Sequence, residues 1–106
     1  MKFRGGMNEL MRQASRMQRK IEKRREELKE ETFEAAAGND KVKVVVNGAG
    51  DLVSVAIDPA VIAEEGLEMA QDLVVAAANA ALVKARETVD AEIEKTTGGL
   101  KLPGMS

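Results

Sequence analysis

The sequence predicts an α+β fold in the order α-β-β-β-α: a long N-terminal helix, a three-stranded antiparallel meander and a long C-terminal helix. Three observations carry that prediction. Between Lys41 and Pro59, KVKVVVNGAGDLVSVAIDP, β-branched residues alternate with others on both sides of a glycine turn, the period of two of paired strands. From Met7 to Leu28 apolar residues recur at steps of three and four, the period of a helix face. The run Leu73–Val83, LVVAAANAALV, is apolar nearly all the way round and reads as a helix covered on more than one side.

Met1–Gly6 reads as a flexible start, with Gly5-Gly6 breaking any earlier helix. The first helix then follows a heptad, with Met7, Ala14, Ile21 and Leu28 at a and Leu10 and Met17 at d. Arg24 occupies the next d position, either as a register device across a dimer or as a snorkelling surface residue. Ending near Glu30, this helix is about 35 Å long, more than so small a chain covers alone. Glu31–Ala37 is open between helix tail and strand. Thr32 and Phe33 favour strand, the alanines favour helix, and strand is preferred because a third strand turns a marginal hairpin into a viable meander. Gly38-Asn39-Asp40 makes a turn, and Asn47-Gly48-Ala49-Gly50 supplies the positive φ angles of a tight reversal.

Asp58 and Pro59 form a helix-start signal, N-cap and first helical residue. Gly66 separates a short turn of helix, Pro59–Glu65, from the main second helix, about Leu67 to Lys95. One side of that helix meets the sheet, and the other points to a partner subunit, with Val74, Ala77, Ala78 and Ala81 expected at a dimer interface. Gly98-Gly99 stop the helix, and residues 97–106 read as a C-terminal tail.

A chain of 106 residues reads as a single domain, 1–106, with a modest core. Two Phe, no Trp and no Tyr leave alanine to supply much of the apolar content, so stability is expected from close backbone approach and from a second subunit. The absence of Cys and His removes disulfides, the usual zinc sites and Ser–His or Cys–His nucleophile pairs. No enzyme, cofactor or metal is expected. Without a signal-type apolar region or a run of about 20 apolar residues, the expectation is a soluble, cytoplasmic protein with no membrane partner.

Charge is unevenly placed. Met1–Glu30 carries ten bases against five acids, +5, and the remainder six against thirteen, −7, which gives the net −2. Arg12, Arg16, Arg19 and Lys23 fall at heptad positions f, c, f and c, one stripe opposite the apolar seam, and Lys20 and Arg25 widen it. No acid lies between Leu10 and Ile21, so the i,i+4 pairs within the stripe repel one another. Such a face is either ordinary solvated surface or a contact for phosphate, and the acid-free window favours phosphate. Lacking aromatic platforms, it suits a duplex backbone better than a single strand. No base-reading motif is present, so low sequence specificity is expected.

Other features read as structural. Met7, Met11 and Met17 are core filler before they are a binding groove. Asn79 suits a structural hydrogen bond, and Glu64, Glu65, Glu68 and Asp72 a solvated acidic face rather than a metal site. Gly48 and Gly50 turn between strands and do not precede a helix as a phosphate cradle would.

Four segments together resemble the bacterial YbaB/EbfC nucleoid-associated protein family: GGMNELMRQASRMQRKIEKRREEL, VKVVVNGAGDLVSVAIDP, DLVVAAANAALVKA and TTGGLKLPGM. The resemblance runs nearly end to end. It implies a tweezer-like homodimer joined through sheet and helices, with the first helices as paired prongs. It also implies double-stranded DNA as partner, a nucleoid location, and roles in nucleoid organisation, gene regulation or recombination and repair, with recombination or replication proteins as further partners. Arg24 departs from the aliphatic residue common there, and Ser106 from a frequent aromatic. Arg12, Arg16, Arg19, Lys20, Lys23 and Arg25 are the expected phosphate contacts. The alternative from another class is a prefoldin-like chaperone or interaction scaffold, which predicts apolar arm tips.

Overall fold

The strand alternation dictates the centre of the molecule. In the computed structural model, which describes residues 2–98, the order is α1 Lys2–Glu30, β1 Thr32–Ala37, β2 Val42–Asn47, β3 Leu52–Ile57, α2 Pro59–Glu65 and α3 Leu67–Thr96. β2 is the middle strand, antiparallel to both neighbours, with Ala35 and Val55 flanking Val44. Its inward residues Val42, Val44 and Val46 are wholly buried. Because β1 completes the sheet, the ambiguous Thr32–Ala37 segment resolves as strand, with Phe33 opposite Val46 and buried beside it.

α3 lies across β1 and β2 on Ala77, Ala81 and Ala85, whose small side chains let the helix backbone come close to the valines. A helix about 10 Å across covers roughly two strands spaced about 4.8 Å apart. The third strand is left out: every residue of β3 is exposed, Leu52, Val53, Val55 and Ile57 included. A bulge between Val45 and Val46 shifts the register so that Val46 faces Leu52.

The connections follow the sequence signals closely. Gly38, Asn39 and Asp40 all take positive φ, 65°, 56° and 67°. Asp58 caps α2 through its carboxylate, which accepts from the Ala60 N–H at 3.0 Å. Gly66, at φ 93°, divides α2 from α3. In the β2–β3 turn only Gly50 has the positive φ expected of both glycines. Gly48 serves a different need. A Cβ there would lie 1.9 Å from the Leu28 carbonyl oxygen, and its N–H donates to the Glu31 carbonyl at 3.0 Å. The turn is pressed against the end of α1.

One boundary differs from expectation. α1 begins at Lys2, so Gly5-Gly6 lie within it; glycine costs a helix about 1 kcal/mol relative to alanine and weakens without forbidding. At the other end Thr97 caps α3 and Gly98 turns at φ 66°. The rest of the expected tail, residues 99–106, lies outside the described residues, as does Met1 of the expected flexible start.

Beyond the sheet, α3 continues alongside α1. Ile21 and Leu28 pack with Ile93, and half-buried Met17 and Val89 complete the contact. Antiparallel pairing follows from α1 ending at the sheet while α3 leaves it. Residues 6–16 of α1 are all exposed. The molecule is therefore an elongated body, 77 × 19 × 16 Å, whose far end is a single helix.

Candidate nucleic-acid interface

Helical geometry turns the charge pattern into a surface. At 100° per residue, Arg12, Arg16, Arg19 and Lys23 share one side of α1 over about 16 Å, opposite Met7, Leu10 and Ala14. All six residues expected to touch phosphate are exposed, and none is turned into the body. Five of them form a group, with Lys20 flanking the stripe. Arg25 does not join it: nine residues, two and a half turns, place it on the opposite side from Arg16.

The repulsion inside the stripe is lower than the acid-free window implies. Glu9, one residue outside that window, sits 3.7 Å from both Arg12 and Arg16. All three side chains are more than half exposed, so these pairs are weak, and a polyanion displaces Glu9 at little cost. Among the described residues, Arg19, Lys20, Lys23 and Arg25 make no ion pair. Asn8, Met11, Ser15 and Arg19 line a shallow surface with Arg12 and Arg16, which adds amide and hydroxyl groups suited to phosphate oxygens.

Arg24 has a use that neither sequence reading named. Its guanidinium bridges to Glu92 on α3 and, at 3.2 Å, to Glu27 on its own helix. Hydrogen bonding to Arg24 foremost, then to Lys95, holds the Glu92 carboxyl below the usual carboxylate range, and Glu92 raises the Arg24 guanidinium in turn. The polar seam position thus ties the base of the arm to α3 within one protomer.

The apolar surface also needs revision. Ala77 and Ala81, expected between subunits, are wholly buried against the chain's own sheet, and Val74 and Ala78 pack half-buried on the same core. Their positions face inward because the sheet claims the side of α3 where alanine is densest. The uncovered apolar groups lie elsewhere, at Val75 and Val83 on the outer side of α3 and along β3. Asn79 is exposed on that outer side. Sequence reasoning placed no individual β3 residue at the dimer interface, although its alternating Val53, Val55 and Ile57 were the signal of a face needing cover. The acidic residues Glu64, Glu65, Glu68 and Asp72 are exposed, Glu64 pairing with Lys41 at 3.3 Å. Among the described residues no group of three ligating side chains is gathered for a metal ion, and no helix is long and apolar enough to cross a membrane.

Comparison with known proteins places the chain. The model of the YbaB/EbfC DNA-binding family matches residues 3–100. A nucleoid-associated protein of Acetivibrio thermocellus is 50% identical over 104 residues, 97% of this chain and 92% of that protein. One of Moorella thermoacetica is 47% identical over 100 residues, 94% and 96% of the two chains. The crystal structure of uncharacterized protein HP0035 from Helicobacter pylori shares the fold, with a TM-score of 0.55 at 22% identity over 85% of this chain and 93% of that one.

Proposed function

Since the chain belongs to the YbaB/EbfC DNA-binding family, we propose that it is a nucleoid-associated protein that binds double-stranded DNA as a homodimer through α1, mainly at phosphates. One observation carries this reading: a basic stripe of five exposed cations on a helix that projects from an otherwise acidic body. The acidic remainder repels phosphate and confines contact to the arm. Phe33 is buried and the sequence has neither Trp nor Tyr, so it is poor in aromatic platforms for unpaired bases, which favours a duplex. Guanidinium and ammonium groups facing a sugar–phosphate rail confer little sequence preference.

The homodimer is supported by surface that the protomer leaves uncovered. β3 offers an unpaired edge with four exposed apolar residues, a template for pairing with another chain. Val75 and Val83 add apolar surface on α3. Two-fold association there gives a single domain per subunit and two arms per dimer. The reading implies no catalysis and no cofactor. It places the protein in the cytoplasm on the nucleoid, in its organisation, in gene regulation, or beside recombination and replication proteins.

Binding of a labelled duplex across a salt series tests the proposal. With about four phosphates neutralised per arm at about −0.9 each, log K falls against log salt with a slope near −7 for the dimer. Replacing Arg12, Arg16 and Arg19 by Ala removes about six contacts and brings the slope to roughly −2, with helicity and dimer mass unchanged. Undiminished affinity in that variant moves the contact surface off α1.

A second reading has one observation in its favour. Met7, Leu10 and Met11 are 59%, 62% and 65% exposed on the arm, the apolar surface a prefoldin-like chaperone requires. Suppression of client aggregation that survives the triple arginine substitution supports it.

A further inference from the structure

The polar contact between α1 and α3 lies off the line of their apolar one. Met17, Ile21 and Leu28 meet Val89 and Ile93 along one side of α1. At 100° per residue Arg24 is about 60° round the helix from Ile21 and about 40° from Leu28, displaced from both toward Lys20 and the basic stripe. Its guanidinium meets Glu92 on α3 and, at 3.2 Å, Glu27 on its own helix. Lys95 holds Glu92 in turn at 3.1 Å.

The two contacts constrain α1 differently. Burial has no direction, so a single line of apolar side chains resists separation of two helices but not the rolling of one about its axis. Hydrogen bonds between charged groups do have a direction, and one set off the line stops the roll. Residues 6–16 are all exposed, so the arm takes its facing from its base. On a helix about 10–12 Å across, a roll of about 20° carries the outer atoms roughly 2 Å sideways, more than a hydrogen bond tolerates.

We propose that the Arg24–Glu92 pair is the stop that fixes the roll of α1 and so aims the basic stripe at its target. Arg24 and Glu92 are then positioning residues that touch no phosphate, a role that rests on α1 being the DNA-contacting arm. Phosphate contact is the poorer use of Arg24. Two carboxylates already meet its charge, whereas Arg19, Lys20 and Lys23 make no ion pair among the described residues.

Duplex binding across a salt series separates aiming from contact. Glu92→Ala removes an acid, so net charge alone would tighten binding. The proposal expects the opposite, a loss of about three- to tenfold at every salt concentration with the parent's slope kept. Arg24→Ala should match it, and the double variant should lose no more than either single one. Unchanged or tighter binding by Glu92→Ala overturns the proposal. So does a slope shallower by about 2 for the Arg24→Ala dimer, the mark of two lost phosphate contacts.

The chain has no cysteine, so Gln18→Cys on α1 and Asp72→Cys on α3 take a pair of nitroxide labels, with labelled chains diluted in unlabelled ones. Glu92→Ala should broaden the distance distribution between them. The exchanged pair, Arg24→Glu with Glu92→Arg, should narrow it again, with circular dichroism unchanged throughout. A distribution that Glu92→Ala leaves as narrow as the parent's overturns the proposal. A parent protein that binds no duplex refutes the functional reading instead, and the spin-label distances then decide the stop by themselves.

Discussion

The two halves of α1 carry one heptad and meet two different fates. From Met17 to Leu28 the a and d positions are closed by Val89 and Ile93, and from Met7 to Ala14 the same positions face no other described element. Periodicity says which side of a helix is apolar. It does not say whether anything lies opposite. Closure here is decided by the length of α3, which stops at Thr96 level with the middle of α1. The closed half anchors an arm, and the open half is free to be one.

Substitution at the closed half breaks the comparison most directly. Leu28 is 1% exposed, at the point where α1 meets the sheet, and Leu28→Ala should cost about 2–5 kcal/mol through lost transfer energy and a residual cavity. Leu10→Ala changes the same residue type at 62% exposure and should cost less than half as much. Urea midpoints of the two variants measure the difference. Equal losses would mean that the projecting half is as well covered as the anchored one.

Gly48→Ala asks what holds the anchored half against the sheet. Its Cβ would strike the Leu28 carbonyl, a backbone atom that cannot rotate away, so α1 must lift from the β2–β3 turn. Overpacking of this kind costs about 1–3 kcal/mol. Gly50→Ala, in open space but at φ 86°, strains the turn without touching α1. Methyl signals of Ile21 and Ile93 should therefore shift in the first variant and not in the second.

How far the sequence could be read follows the same division between pattern and partner. Val42, Val44 and Val46 announced the middle strand because alternation in β-branched residues has few other meanings. The basic stripe was legible from helical spacing alone, and Glu9 was missed only because the acid-free window began at the next residue. The inner side of α3 was not legible. Leu73–Val83 is apolar on nearly every side, so spacing could not tell which alanines the sheet would bury; Ala77 and Ala81 went to the protomer and Val75 and Val83 were left outside. The pairing of Arg24 was equally hidden, because Glu92 lies 68 residues away in sequence and only the antiparallel packing of two helices brings it near.

That pair is also where the halves of α1 join, and it supplies the mildest test of their difference. Glu92 titrates below the usual carboxylate range because Arg24 first, and Lys95 second, favour its charged form. A depressed folded-state pKa contributes stability that is fully present above the ordinary carboxylate range and is lost as pH falls through the folded value. Arg24 is raised and stays charged throughout, so the acid limb belongs to Glu92. Glu92→Gln should lower the urea midpoint slightly near neutral pH, and the gap from the parent should close in acid. Because both side chains keep about a quarter of their exposure, added salt should narrow the gap as well. The arm's own pairs predict a contrast. Arg12 and Arg16 lean on Glu9 at 3.7 Å in open solvent, so Glu9→Gln should leave the midpoint almost unmoved near neutral pH while tightening duplex binding modestly. A Glu9 variant that loses stability in step with the Glu92 variant would mean the projecting half is held as the anchored half is, and the arm would cease to be an arm.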